Sequence, residues 1–133
     1  MEDYQFSVLV KLYLIGKKLQ ALAKKHNSDK MSQSIILRLA SQNPQSVSCI
    51  AELLSIKVSA ATSKIVEMEK QGLLTRSLTD DKRSHIVAIT QKGKKALLRL
   101  KTAMSNRSGG SWFCLTKPQA KTLEKLIDRI RLE

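Results

Sequence analysis

The sequence predicts a mainly α-helical chain with one small β-hairpin, and three observations carry that fold class. Apolar residues recur at helical spacing in six separate stretches. Two short β-prone runs, Leu73–Leu78 and His85–Thr90, flank the polar, turn-rich Thr79-Asp80-Asp81-Lys82-Arg83-Ser84. Capping and helix-breaking residues stand between the stretches, where such a chain has to turn.

Residues 3–26 make the first predicted helix. Val8 or Leu9, Leu12, Ile15, Leu19 and Leu22 give a continuous apolar stripe, with Lys11, Lys17, Lys18, Lys24 and Lys25 largely off it. Tyr4, Phe6 and Tyr13 add apolar area near the terminus. Part of this stripe is ordinary core. The remainder needs a partner, and a second subunit is the favoured one. Asn27-Ser28-Asp29 breaks this helix, and Ser32 is the expected N-cap of a second, with Ile35, Ile36, Leu39 and Ala40 facing inward. Asn43-Pro44 ends it, because helical geometry is disfavoured before proline. Ser46 or Ser48 caps a third helix holding Ile50, Ala51, Leu53 and Leu54. Ser55-Ile56-Lys57-Val58 then leads to a fourth, with Ile56 and Val58 expected to fill the gap between the two.

Ser59 is the expected N-cap of the fourth helix, and Ala61, Ile65 and Met68 line its inner face. Gly72 follows the last periodic residue, where a left-handed C′ residue ends a helix at little cost. The two β-prone runs and their charged tip come next. Thr90 caps a fifth helix reaching about Arg107, with Ala96, Leu97, Leu100 and Met104 as its apolar stripe. Its other faces carry Lys92, Lys94, Lys95, Arg99 and Lys101, which fit either a solvated face or an extension of a phosphate-binding surface. Asn106–Ser111, NRSGGS, separates it from a last helix introduced by Thr116-Lys117-Pro118-Gln119, a capping box with proline in the tolerated first turn. Ala120, Leu123, Leu126, Ile127 and Ile130 give that helix an apolar face out to Glu133. A domain so small leaves it little to cover. It therefore reads as half of a dimer seam with residues 3–26, centred on Leu12, Leu19, Leu123, Ile127 and Ile130.

A formal net charge of +13 over 133 residues attracts polyanions, of which nucleic acid is the commonest for a soluble protein. No apolar run approaches the ~20 residues that span a bilayer. Met1-Glu2-Asp3 lacks the pattern of a secretory signal, and two cysteines make no disulfide framework. A reduced, cytoplasmic protein is expected. Catalysis is disfavoured. His26 and His85 have no Cys, Asp or Glu at metal-ligand spacing, and there is neither a phosphate-cradling glycine loop nor a dinucleotide fingerprint. No cofactor or metal is expected. Cys49, near a helix start, is either a sensing thiol or a small buried filler; Cys114, beside Trp112 and Phe113, reads as packing.

Helix, glycine, strand, charged tip and strand together outline a recognition helix followed by a wing. The exposed face of the fourth helix carries Ser59, Ala60, Thr62, Ser63 and Lys64, small or cationic side chains that let a backbone sit deep in a major groove. No Arg, Asn or Gln starts that helix to make a bidentate base contact, so groove shape and site spacing are expected to carry much of the specificity. Lys82 and Arg83 at the tip can reach a minor groove or phosphates, and Arg76 on the first strand meets either phosphate or water.

Residues 46–93 resemble the winged helix-turn-helix core of the MarR family of transcription regulators. The matching words, in order, are Ile50-Ala51-Glu52, Ser59, Glu69-Lys70-Gln71-Gly72-Leu73-Leu74, Asp81-Lys82-Arg83 and Ile89-Thr90-Gln91-Lys92-Gly93. Their order and spacing together carry the resemblance, which extends more weakly over nearly the whole chain. It implies one subunit, 1–133, with a winged helix-turn-helix core at 31–91 and dimerisation helices at 1–30 and 92–133. It also implies that Asp81 holds Arg83 for insertion into the minor groove. The implied function is a homodimeric regulator of a pseudo-palindromic double-stranded DNA site. Most such proteins repress, and many release DNA when a small aromatic or phenolic anion binds between the terminal helices and the core. The alternative that charge alone supports is a sequence-neutral architectural nucleic-acid binder.

Overall fold

The computed structural model describes residues 1–25, 28–81, 83–106 and 114–131. The chain forms two compact units, Met1–Arg99 and Leu100–Glu133. The order of elements is α1 (Asp3–Lys25), α2 (Ser28–Gln42), β1 (Gln45–Ser46), α3 (Val47–Leu54), α4 (Val58–Lys70), β2 (Leu74–Leu78), β3 (His85–Ile89), α5 (Gln91–Asn106) and α6 (Lys117–Ile127).

The core of the first unit forms where the inner faces of α2, α3 and α4 meet the sheet. Ile36, Leu37, Ile50, Ile65, Met68, Leu74 and Val87 are fully buried there, each contributing about 1.5–3 kcal/mol relative to an exposed side chain. Ala40, Ala51 and Ala61 are buried beside them, and their small side chains let the helix backbones approach closely. The inner face of α4 is the expected one. That of α2 is corrected: Leu37 is buried while Ile35 is exposed. The helix already runs from Ser28, so Ser32 lies inside it and is not its cap. Leu53 of α3 also turns outward, 59% exposed.

Ser46, of the two serines considered, caps α3: its Oγ accepts from the Cys49 N–H at 3.0 Å. The turn out of α3 passes through Ser55, which adopts a left-handed conformation (φ 54°, ψ 44°). The Ile56 N–H donates to Ala51 O at 3.0 Å and closes this turn. A non-glycine residue there carries a backbone cost of about 1 kcal/mol.

The sheet is antiparallel in the order β1-β3-β2. Leu74 pairs with Ile89 and Leu78 with His85, so β2 and β3 form the expected hairpin with Thr79–Ser84 at its tip. The two-residue strand β1, Gln45 opposite Val87 and Ser46 opposite Ile86, gives no signal in the sequence. It ties the link between α2 and α3 to the hairpin.

In α1, Leu9 and Leu12 are half-buried, whereas Tyr4, Phe6, Val8, Val10, Tyr13, Leu14, Ile15 and Leu19 are exposed, Tyr13 at 64%. The second unit contains α6, capped as expected. The Gln119 N–H donates to Thr116 Oγ1 and the Thr116 N–H to Gln119 Oε1 at 3.0 Å, with Pro118 in the first turn. The helix ends at Ile127 with Asp128 as its C-cap, so the apolar face does not continue helically to Glu133. Leu123, Leu126 and Ile127 are exposed, and Ile130, beyond the helix, is half-buried. The expected contributions of Leu22, His26, Lys82, Met104, Arg107, Trp112 and Phe113 lie outside the described residues or side chains.

Candidate nucleic-acid interface

The helix that would enter a groove starts two residues earlier than an N-cap at Ser59 implies. Lys57 is the N-cap, extended at φ −68° and ψ 148°, with no side-chain capping bond, and the Ala61 N–H donates to Lys57 O at 3.0 Å. The free amides of the first turn and the positive end of the helix dipole therefore coincide with the exposed stretch Lys57–Ala60. Val58 does not fill the gap behind the helix. It is 51% exposed, because the buried position one turn on is Ala61 and Val58 falls on the flank of that face.

Ser59, Ala60 and Ser63 are exposed; Thr62 and Lys64 are half-buried. Thr62 Oγ1 donates to Val58 O at 2.8 Å and Ser63 Oγ to Ser59 O at 3.1 Å. With their hydrogens used inside the helix, both hydroxyls present oxygen lone pairs outward. Those can accept from the amino groups of adenine or cytosine at a base edge. Val58 and Ala60 add methyl groups, the kind of surface that packs on thymine.

The far end of α4 is locked to the wing. Gly72 is left-handed at φ 78°, the Gly72 N–H donates to Glu69 O at 2.9 Å and the Leu73 N–H to Met68 O at 3.0 Å. This is a Schellman closure, with buried Leu73 and Met68 as its apolar partners. Thr90 caps α5 as expected, accepting from the Gly93 N–H at 3.0 Å, and its Oγ1 donates to Gly72 O at 2.6 Å. Lys92 Nζ donates to Gln71 O at 2.8 Å, a cation on the negative end of α4. Arg76 reaches back from β2 to Glu69 on α4: NH2 lies 3.5 Å from Oε1, and Nε donates to Oε2 at 3.5 Å.

At the tip, the Thr79 N–H donates to Ser84 O at 2.9 Å. Asp81 Oδ1 accepts from Thr79 Oγ1 and, at 3.1 Å, from the backbone N–H of Arg83. The Thr79 hydroxyl and then the Arg83 amide hold the Asp81 carboxyl below its ordinary range although it is fully exposed. Asp81 thus orders the backbone at Arg83, whose side chain stands exposed. The geometry brings the expected Ser59, Ala60, Thr62, Ser63 and Lys64 onto one helix, and Asp81 and Arg83 onto the hairpin packed against it.

Other candidate chemistry is sparse. Cys49 is half-buried with Sγ donating to Gln45 Oε1 at 3.5 Å, and Cys114 is exposed. Among the described residues no group of three or more His, Cys, Asp or Glu is placed to hold a metal, and no helix is long and apolar enough to cross a membrane. A polar cleft of about 430 Å³ lies between α2 and α4, lined by Ser32, Gln33, Ser63, Lys64, Glu67 and Gln71.

Residues 31–85 match the family model described as the MarR family. No curated protein matches the chain. Among solved structures, the transcriptional regulator BldR of Sulfolobus solfataricus superposes with a TM-score of 0.72 at 23% identity, covering 98% of this chain and 100% of that one. A MarR-family transcriptional regulator from Rhodococcus sp. RHA1 gives 0.68 at 17% identity, over 96% and 93% of the two chains. BpsR of Bordetella bronchiseptica, whose DNA binding is regulated by 6-hydroxynicotinic acid, gives 0.57 at 15%, over 87% and 97%. At these identities the shared property is the fold, a winged helix-turn-helix with flanking helices.

Proposed function

We infer that this chain, MarR-like in sequence over residues 31–85 and in fold throughout, is a sequence-specific double-stranded-DNA-binding transcription regulator and not an enzyme. One observation carries the reading: the outward face of α4 and the Arg83 tip belong to a single packed body, with the uncapped helix start exposed. Ser59, Ala60, Thr62, Ser63 and Lys64 meet base edges and phosphates, and Arg83 enters the adjacent minor groove from a loop that Asp81 orders. Lys82 and Arg76 add charge nearby.

The protein acts as a homodimer in the cytoplasm. Tyr4, Phe6, Tyr13, Leu14, Ile15 and Leu19 on α1 and Leu123 and Ile127 on α6 are exposed large apolar side chains, which a second subunit would cover. Leu12 and Ile130, both half-buried, complete the proposed dimer contacts. Two such subunits read half-sites about one helical turn apart, and the outcome is repression. A small aromatic or phenolic anion, of the kind named for BpsR, is the proposed effector class.

The test is selection of bound sequences from random duplexes, followed by competition of the selected site against bulk DNA. A regulator prefers its own symmetric site by at least ~10³. Equal binding to both would leave the sequence-neutral architectural reading, which the +13 charge supports, in its place.

A further inference from the structure

The interface described above leaves one strongly charged face unused. α5 carries Lys92, Lys94, Lys95, Arg99 and Lys101 and no carboxylate over Gln91–Asn106. Lys92, Lys94, Lys95 and Arg99 are all exposed. Lys95 and Arg99, at i and i+4, share one stripe with Lys94 on its flank; Lys92, whose Nζ is bonded to Gln71 O, stands at its foot, and the whole is about 10 Å long. Lys94, Lys95 and Arg99 have no acidic residue on their own helix, and the like charges of Lys95 and Arg99 at i and i+4 repel, which a bound anion would relieve.

The position of this stripe separates it from the groove-reading surface. Its first turn is fixed to the C-terminal end of α4 through Lys92 Nζ to Gln71 O and Thr90 Oγ1 to Gly72 O. The base-reading end of α4, at Val58–Ser63, lies 8 to 13 residues away along the helix, about 12–20 Å. The wing tip lies the length of a five-residue strand away, about 17 Å. A half-site centred on Ser59 and Arg83 therefore does not account for Lys94, Lys95 and Arg99.

We propose that the cationic stripe of α5 is a second phosphate-binding surface, taking duplex DNA beyond the half-site that α4 reads. This rests on the regulator reading above. Ten ångströms of stripe matches about three successive phosphates of one strand, each worth about 0.9 in the log–log dependence of affinity on salt. The phosphates belong to the flank of the same duplex, brought in by a bend.

The test measures affinity over a salt series on two fragments, one ending at the selected half-sites and one extended by some 20 base pairs on each side. Three proteins are compared: the natural chain, a Lys94→Gln/Lys95→Gln/Arg99→Gln variant, and a Lys11→Gln/Lys17→Gln/Lys18→Gln variant that removes equal charge from α1. Glutamine has nearly the helix propensity of lysine and arginine, and thermal melting checks that each variant folds. The natural chain is expected to bind the long fragment with an advantage in affinity and a slope steeper by about 2.7 per subunit, about 5.4 for the homodimer. Between 50 and 200 mM salt the long fragment's affinity therefore falls by a further factor of about 2,000. The α5 variant loses this advantage and keeps short-fragment binding; the α1 variant keeps both. Capture of a second labelled duplex by an immobilised operator complex, without any length advantage, overturns the proposal in favour of a second duplex. It is overturned too if the natural chain shows no length advantage, or if the α1 variant loses it equally. Failure of the regulator reading is visible separately, as a natural chain that binds its selected site no better than bulk DNA.

Discussion

Replacing Gly93 by alanine tests the joint on which the reading head depends. A Cβ built at Gly93 meets Leu73 O at 2.2 Å and Ile89 Cγ1 at 2.7 Å. Leu73 O must retreat by more than about 1 Å to reach ordinary contact distance. That carbonyl accepts from the Thr90 N–H at 3.1 Å, so the retreat takes it out of hydrogen-bonding range and costs about 1 kcal/mol. Overpacking adds about 1–3 kcal/mol. Alanine returns up to about 1 kcal/mol through helix propensity, since Gly93 lies in the first turn of α5. The net is a loss of about 1–3 kcal/mol. Urea unfolding of Gly93→Ala and the natural chain at equal protein concentration measures it as a lower midpoint at unchanged slope. Leu73 also closes the Schellman turn of α4, so affinity for the selected DNA should fall by more than the unfolded fraction explains. A midpoint equal to or above that of the natural chain would refute the placement of α5 against the base of the wing.

Arg83→Ala should weaken DNA binding by roughly 1–3 kcal/mol with no change in thermal stability; unchanged affinity removes Arg83 from the interface. Arg76→Ala should cost less than about 1 kcal/mol of stability, because its pair with Glu69 is partly exposed, and should leave the salt slope as it was. A slope lower by about 1 would instead make Arg76 a phosphate contact. Asp81 has a depressed carboxyl pKa, so its ordering of the tip is fully present above about pH 4 and lost only as pH falls through the lowered value. A carboxyl NMR titration with its midpoint at or above the ordinary aspartate value would contradict the Thr79 and Arg83 contacts.

What the sequence revealed follows from how local each signal is. Ala61, Ile65 and Met68 announce the inner face of α4 because helical spacing is intrinsic to the segment, and all three are buried. Gly72, Thr90 and the Thr116–Gln119 capping box are equally local, and each performs the expected bond. Ser59 and Ser32 look like caps but lie inside their helices, which begin at Val58 and Ser28. A serine near a helix start is compatible with either place, and tertiary packing chose. The apolar character of Val58 points to the interior, but its angle relative to Ala61 puts it on the flank. The two-residue β1 and the Arg76–Glu69 pair had no sequence signal, since each depends on how a strand twists against something distant. For the proposed interface, the sequence put Ser59–Lys64 on one helix and gave no sign of the inward-donating hydroxyls of Thr62 and Ser63.

The short strand β1 has a mechanical consequence. Gln45 and Ser46 bond to the hairpin through β3, while the Ser46 side chain simultaneously starts α3. The wing, the first helix of the motif and, through Gly72 and Arg76, the second are thereby clamped from three directions. Such a head resists internal bending, so a signal that lowers DNA affinity has little to gain by flexing it. On the proposed homodimer reading, the adjustable quantity is the distance from one such head to its twin.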